Sequence, residues 1–392
     1  MSVVFKILAS SLVSGGIHGY VWWRLVWRSR LPRRWLIGIT VAMVVLFVAV
    51  PVTTWSRNRA PELSAALSWI SLPWMALVGL TCVALLAIHI GQIALWLGKR
   101  LSRRISQRPP EPTSPSRRTF LARATGGAAL MVGSASVARG MISARADHEI
   151  VDVEVKLAKL PPALDGFSIV QLSDLHVGLT IDRAFVERVV EQTNRLSPDL
   201  IAMTGDLIDG QVDDLRDATA PLANLRARHG VYAVTGNHEY YSGADPWIAE
   251  LTRLGFRYLR NQRVTIGEPD ACFELAGVDD HSAWGFPGHG ENFKQATAGR
   301  DPSRALVLLA HQPRQVRRAA RYGVDLQLSG HTHGGQIWPW HYIVRMQQRG
   351  LLAGLYQIRG TQLYVTRGCG YWGPPVRLLA PLEITRVILR RA

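Results

Sequence analysis

The sequence predicts an all-α membrane region of about four spans followed by an α/β domain, and three observations carry that reading. The first is charge. Of 392 residues, those from 1 to 146 hold 18 Lys and Arg against only Glu62 and Glu111, whereas 147–392 hold 27 of each sign, so the net charge of +16 lies wholly in the first part. The second is a set of long apolar runs confined to that part. The third is a series of short aliphatic runs after Ile150, each ending in small and polar residues, with helical periodicity between the first ones. A composition 48% apolar and 19% charged excludes a disordered chain. Basic residues placed in loops between apolar runs point to a membrane, because a nucleic-acid protein concentrates its positive charge on the folded domain. The expected organisation is a membrane region over 1–106 with about three transmembrane helices, a linker plus signal or fourth span over 107–146, and a soluble domain over 147–392.

The candidate spans are Ile7 to Trp23, Trp35 to Val52, Trp74 to Leu97 and Thr119 to Ala138, none of which contains Asp, Glu or Lys. The second and third, with 18 and 24 residues, match the roughly 20 that a helix needs to cross about 30 Å of hydrocarbon. Ser10, Ser11, Ser14 and His18 dilute the first, and Arg123 with several Gly and Ser dilutes the fourth. Trp22, Trp23, Trp27, Trp35 and Trp55 fall near segment ends, where an interfacial belt places them. Arg24, Arg28, Arg30, Arg33 and Arg34 make the first loop cytoplasmic, and Lys99 to Arg118 do the same for the third, while the loop from Thr53 to Leu67 holds only Arg57 and Arg59. With four spans, everything after the last is extracytoplasmic. The stretch Ser116-Arg117-Arg118-Thr119-Phe120-Leu121 resembles an internal twin-arginine export signal, with Ala144-Arg145-Ala146 as a cleavage site; the alternative is an ordinary basic flank. Gln107 to Ser116, rich in Pro and Ser, reads as a linker.

Cys82, Cys272 and Cys369 form no C-x-x-C pair. Cys272 and Cys369 could pair in an oxidising compartment, although lone buried thiols are the favoured reading.

In the soluble part five runs deliver ligand-type side chains at their carboxyl ends, where an open α/β sheet forms its site. Phe167 to Leu172 leads to Asp174 and His176, Asp199 to Met203 to Asp206, Val231 to Val234 to Asn237 and His238, Ala305 to Leu309 to His311, and Val324 to Leu328 to His331 and His333. Ala184 to Leu196 carries helical periodicity. Carboxylate, amide and imidazole donors without thiolate suit Mn, Fe, Zn or Co, and the imidazoles count against Ca or Mg. Seven ligands exceed one tetrahedral ion but fit two that share a carboxylate. Glycine before Asp206, Asn237 and His331 is expected to let an ion sit against the backbone. Asp209 either supports the site or caps a helix. His281 and His289 are structural or exposed, and Trp338 to His341 either lines a cleft or packs on the domain.

The series Asp174-x-His176, Gly205-Asp206-x-x-Asp209, Gly236-Asn237-His238-Glu239, His311 and Gly330-His331-x-His333 resembles the calcineurin-like metallophosphoesterase superfamily over roughly residues 150–392. Gly330 to Ile337, Leu363 to Gly368 and Gly373-Pro374-Pro375-Val376-Arg377 are similar to the bacterial phosphodiesterase branch that includes the YkuE and YaeI proteins. The resemblance implies an α/β/β/α sandwich with two divalent ions, one held by Asp174, His176 and His333, the other by Asn237, His311 and His331, with Asp206 bridging. It further implies a metal-bridging hydroxide as nucleophile, His238 as acid or charge stabiliser, and Glu239 as its orienter. The function expected is a membrane-anchored phosphohydrolase of a bacterial inner membrane, acting on a phosphodiester or pyrophosphate of a small molecule or lipid. The near-zero charge of the soluble part gives no basic track for nucleic acid. The alternatives are a phosphomonoesterase or protein phosphatase, and a non-catalytic membrane binding module.

Overall fold

The computed structural model describes residues 3–57, 59–106 and 114–392. The chain divides into two compact units, Met1–Met141 and Ile142–Ala392.

The first unit is all helical: α1 (Val3–Trp22), α2 (Arg33–Ser56), α3 (Pro61–Ser106) and α4 (Pro115–Ser143). Among the described residues three helices are long and apolar enough to cross a membrane, lying over Arg33–Ser56, Pro61–Ser102 and Pro115–Ser143. The first expected segment, Ile7 to Trp23, forms α1. The connection between α2 and α3 is shorter than the expected Thr53 to Leu67 loop, because its polar residues bond locally and so remain helical. Thr53 donates to the Ala49 carbonyl at 2.8 Å and its hydroxyl meets that of Ser71 at 2.9 Å, while Ser64 donates to the Thr53 carbonyl at 2.7 Å. Helix α4 approaches α3 through Gly133, where a Cβ would stand 2.4 Å from the Thr81 hydroxyl, so a small residue is needed at this interface. Ser116, Arg117 and Arg118 lie in the first turn of α4. Residues 107–113 of the expected linker lie outside the described residues.

In the second unit two six-stranded sheets pack face to face. The strands are β1 (Glu149–Leu157), β2 (Ser168–Leu172), β3 (Leu200–Met203), β4 (Val231–Ala233), β5 (Phe256–Tyr258), β6 (Gln262–Glu268), β7 (Ala271–Gly277), β8 (Leu306–Leu309), β9 (Leu326–Ser329), β10 (Gly354–Ile358), β11 (Thr361–Val365) and β12 (Glu383–Arg391). One sheet runs β1-β12-β2-β3-β4-β5 and the other β10-β11-β9-β8-β7-β6. The five expected strands are the central parallel ones, β2, β3 and β4 in the first sheet and β8 and β9 in the second. Of these, β3 and β8 read as continuous apolar runs because both faces are covered, while β2 and β9 each carry one buried glutamine, Gln171 and Gln327. Ile169, Leu200 and Ala202 meet Val307, Leu309 and Leu328 between the sheets. Val170, Ile201 and Met203 face outward onto Phe185, Val189 and Trp247, and Leu306 and Leu308 onto Phe293 and Ala319. The result is the expected α/β/β/α sandwich. Helix α5 (Arg183–Arg195) fills the expected Ala184 to Leu196 periodicity and starts at Asp182, whose side chain accepts from the Phe185 N–H. Helix α6 (Val212–Thr219), α7 (Asn237–Ser242) and α8 (Ala244–Arg253) follow. Cys272 and Cys369 are buried free thiols, as favoured.

Candidate metal centre

Loops at the carboxyl ends of β2, β3, β4, β8 and β9 carry all eight expected site residues. Asp174 and His176 follow β2, Asp206 follows β3, Asn237 and His238 open α7, His311 follows β8, and His331 and His333 follow β9. Asp174, His176, Asp206, His331 and His333 have φ of 55°, 52°, 54°, 73° and 52°. Left-handed backbone is costly for residues with a Cβ, and it persists where surrounding structure holds it at a site. The expected role of the neighbouring glycines changes. A Cβ on Gly236 would stand 2.2 Å from Asp206 Oδ1, and one on Gly330 would stand 2.1 Å from Asp174 Oδ2. These glycines therefore let one loop pass against the carboxylate of another.

The donor atoms converge in two groups. In the first, His176 Nε2 and His333 Nε2 are 3.1 Å apart, and His333 Nε2 is 3.5 Å from Asp174 Oδ1. In the second, His311 Nε2 lies 3.1 Å from His331 Nδ1 and 3.1 Å from Asp206 Oδ2. That same oxygen is 3.9 Å from His176 Nε2, so Asp206 stands between the groups. The sets Asp174–His176–His333 and Asp206–His311–His331 each offer ligand atoms within 4.8 Å of one another, as does the overlapping set His176–Asp206–His238. Facing imidazole lone pairs at such distances need a proton or a cation between them. Asn237 Oδ1 is buried without a hydrogen-bond partner, a lone pair that a cation would satisfy.

Outer partners orient the imidazoles. His311 Nδ1 donates to the Thr204 carbonyl at 2.8 Å, which leaves Nε2 to offer its lone pair. His176 Nδ1 lies 3.2 Å from Asp209 Oδ2, off the hydrogen-bond line. The other Asp209 oxygen accepts a hydrogen bond from His238 Nδ1. Asp209 thus supports the site and does not cap α6, which is preceded by Gln211 with no side-chain capping hydrogen bond. Glu239 does not orient His238, contrary to expectation. Its carboxylate accepts the backbone N–H groups of Asp206, Leu207 and Gly236 at 3.0, 2.7 and 2.6 Å, pinning two ligand loops together. Buried Arg377 fixes a third, with Nη1 donating to the His333 and Ala380 carbonyls, each at 3.1 Å.

Charge follows this geometry. Burial pushes the Asp174 carboxyl up. Burial also opposes ionisation of Asp206, but the imidazoles of His311, His238 and His176 outweigh it and hold this carboxyl well below the usual range. His331 falls to about 3 through burial and the neighbouring His311 charge. His238 goes the other way: burial would lower it, yet Asp206 and Asp209 push it up to about 9. His331 beside ionised Asp206 is already in the donor state that a divalent metal requires, whereas His311, which burial would lower but Asp206 raises well above the usual range, would give up a proton to a metal bound there.

Two exposed rings stand edge-on to His238, Tyr241 at 5.3 Å and Trp372 at 5.8 Å between centroids. Their role had no signal in spacing, whereas Asp209 was marked by the Gly205-Asp206-x-x-Asp209 pattern. His281 meets Glu291 at 3.2 Å and His289 meets Arg260 at 2.7 Å, both away from the ligand groups.

The calcineurin-like phosphoesterase family matches residues 167–335, which hold all eight expected site residues. The chain is 35% identical over 333 residues to a zebrafish (Danio rerio) transmembrane protein with metallophosphoesterase domain, covering 81% of this chain and 74% of that protein. The chain belongs to the calcineurin-like phosphoesterase family. A bovine (Bos taurus) protein of the same name is 41% identical over 276 residues, 67% of this chain and 62% of that one. YkuE of Bacillus subtilis, an uncharacterized metallophosphoesterase, is 35% identical over 287 residues, 70% of this chain and 98% of that protein. As a member of this family with its His/Asp clusters in place, the chain is a metal-dependent phosphoester hydrolase.

Proposed function

We propose that this calcineurin-like phosphoesterase is a membrane-anchored dinuclear phosphodiesterase that cleaves a phosphodiester or pyrophosphate bond. The observation that carries the reading is the position of Asp206, one oxygen of which is 3.1 Å from His311 Nε2 and 3.9 Å from His176 Nε2, between two imidazole pairs. Asp174, His176 and His333 would hold one cation, Asn237, His311 and His331 the other, and Asp206 would be shared. Two such cations, of the Mn, Fe, Zn or Co class, would supply Lewis acidity toward the phosphoryl oxygens and a water ionisable near neutral pH. His238, pushed up to about 9 and anchored through Nδ1 on Asp209, carries a proton at neutral pH and presents Nε2 to the leaving oxygen. The preference for a diester rests on likeness to the YkuE branch. His238→Ala should leave metal content unchanged and lower kcat on a bis-aryl phosphate by about 100-fold or more. Unchanged activity would remove His238 from the reaction, and faster turnover of mono-aryl than bis-aryl phosphate would make the enzyme a monoesterase.

The arginine distribution supports a bacterial inner-membrane location with the catalytic unit extracytoplasmic, exported through the twin-arginine-like segment. A reporter active only outside the cytoplasm, fused after residue 146, should be active. Changing Arg117 and Arg118 to Lys should silence it, and an unaffected reporter would reduce the pair to a basic flank.

A further inference from the structure

The two segments that border the centre, 336–346 and 372–379, form one surface. The Gln336 side chain donates to the Trp372 carbonyl at 2.8 Å and accepts from the Trp372 N–H at 3.0 Å. The backbone is tied alongside, Leu378 N–H to the Gln336 carbonyl at 2.9 Å and Trp338 N–H to the Leu378 carbonyl at 3.1 Å. The short helix His341–Gln347 starts against Gly335, where a Cβ would stand 2.3 Å from the His341 Cβ, only two residues beyond His333. The surface therefore begins at the centre, with Trp372 against His238, and extends outward through Trp338, Trp340, Tyr342, Met346 and Leu379. All of these side chains are exposed, Met346 at 74% and Leu379 at 80%.

Soluble proteins seldom leave so many large apolar groups together in water. Leu379 adds a second oddity, because it is held at φ 61° with its side chain in solvent. A leucine in left-handed backbone costs free energy, and here no burial within the unit offsets it. Charge narrows the choice of partner. From 326 to 382 there is no Asp or Glu, while Arg345 and Arg349, on and just after the short helix, are exposed. Amphipathic Trp and Tyr with protruding aliphatics and flanking arginines match the headgroup layer of an anionic bilayer, which takes the rings at its interface and the cations at its phosphates. The chain keeps that bilayer within reach, since only five residues separate the end of α4 at Ser143 from the start of β1 at Glu149.

We propose that this surface docks the catalytic unit onto a lipid bilayer and that the substrate is an amphiphilic phosphoester, one bearing an apolar chain, taken directly from the membrane. The substrate half of the proposal rests on the hydrolase reading above; the docking half does not. The three cysteines are buried, so Met346→Cys in the full chain provides an accessible thiol for an environment-sensitive fluorophore. In vesicles containing anionic lipid, the label should be quenched by nitroxide-bearing lipids and shielded from aqueous iodide. A label at Asp213→Cys, on α6 and 94% exposed, should behave oppositely. The Trp340→Ser/Leu379→Ser double variant should lose about tenfold or more in turnover of a phosphodiester lipid presented in vesicles. Its kcat/KM on bis(p-nitrophenyl) phosphate should stay within about twofold of the parent.

A label at 346 as open to iodide as the one at 213 would overturn docking. Disulfide-linked pairs of the unlabelled Met346→Cys chain, in place of lipid quenching, would assign the surface to a second copy. Docking with equal loss or retention of both activities would overturn delivery of substrate from the bilayer. If the parent cleaves neither substrate with added Mn²⁺, the hydrolase reading fails, and the label still decides docking.

Discussion

Both units bury polar side chains, and they use them differently. In the α2–α3 hairpin, Thr53, Ser64, Ser68 and Ser71 are buried, and the threonine, Ser64 and Ser68 hydroxyls each reach a backbone carbonyl at 2.6–2.8 Å. No described residue of these two helices lies on left-handed backbone, and each bond is complete within the hairpin. At the metal centre, buried Asp174, His176 and Asp206 lie on left-handed backbone, their outer atoms held by loops and their inner atoms turned toward a common point. Burial of polar groups does not by itself mark a functional site. Convergence does, together with backbone strain and a lone pair left open, as at Asn237 Oδ1.

That contrast predicts where substitution destroys function. Asp206→Asn removes the charge that both imidazole groups share, so it should have the largest effect of all. Activity should fall by roughly 1,000-fold or more, in the range reached when a central electrostatic group is lost. Bound metal, measured by elemental analysis of the purified chain, should fall with it. Retention of full metal content would break the claim that Asp206 stands between the two groups. Asp209→Asn is the sharper test, since Asp209 touches two imidazoles and is not among the expected ligands. Loss of such an outer partner costs about 10–100-fold in metal affinity or activity. The Asn variant should also move the limb of the kcat profile that reports His238 deprotonation to lower pH, because Asp209 helps to raise His238. An unchanged profile would reduce Asp209 to packing.

Much of this was legible beforehand because the centre is written as short, local words. Each ligand follows its strand within a few residues, and a buried parallel strand is an uninterrupted apolar run, as in Leu200–Met203 and Leu306–Leu309. The membrane helices were legible for the same reason of length and apolarity. What was not legible depends on contacts across long separations. β1 and β12, paired in parallel from Glu149↔Glu383 to Leu157↔Arg391, alternate with polar residues and come from opposite ends of the unit. The role of Glu239 was misread because its position beside His238 in sequence says nothing of the three backbone N–H groups that it meets. Trp372 stands beside His238 while its backbone is tied to Gln336, and neither contact is local in sequence.

The smallest expected effect lies on the other side of the comparison. Ser71 meets the Thr53 hydroxyl at 2.9 Å inside the hairpin. Removing it by Ser71→Ala leaves no orphan, because the Thr53 hydroxyl keeps its bond to the Ala49 carbonyl at 2.8 Å. Interhelical hydrogen bonds of this kind in membranes are worth about 0.6 kcal/mol on average, since the separated helices also find partners. The variant should therefore unfold in detergent within about 1 kcal/mol of the parent and retain its metal and its turnover of bis-aryl phosphate. Were Ser71→Ala instead to strip metal or abolish turnover, the hairpin could not be treated as packing alone. The buried hydroxyls of the first unit would then belong, like the carboxylates of the second, to the working site.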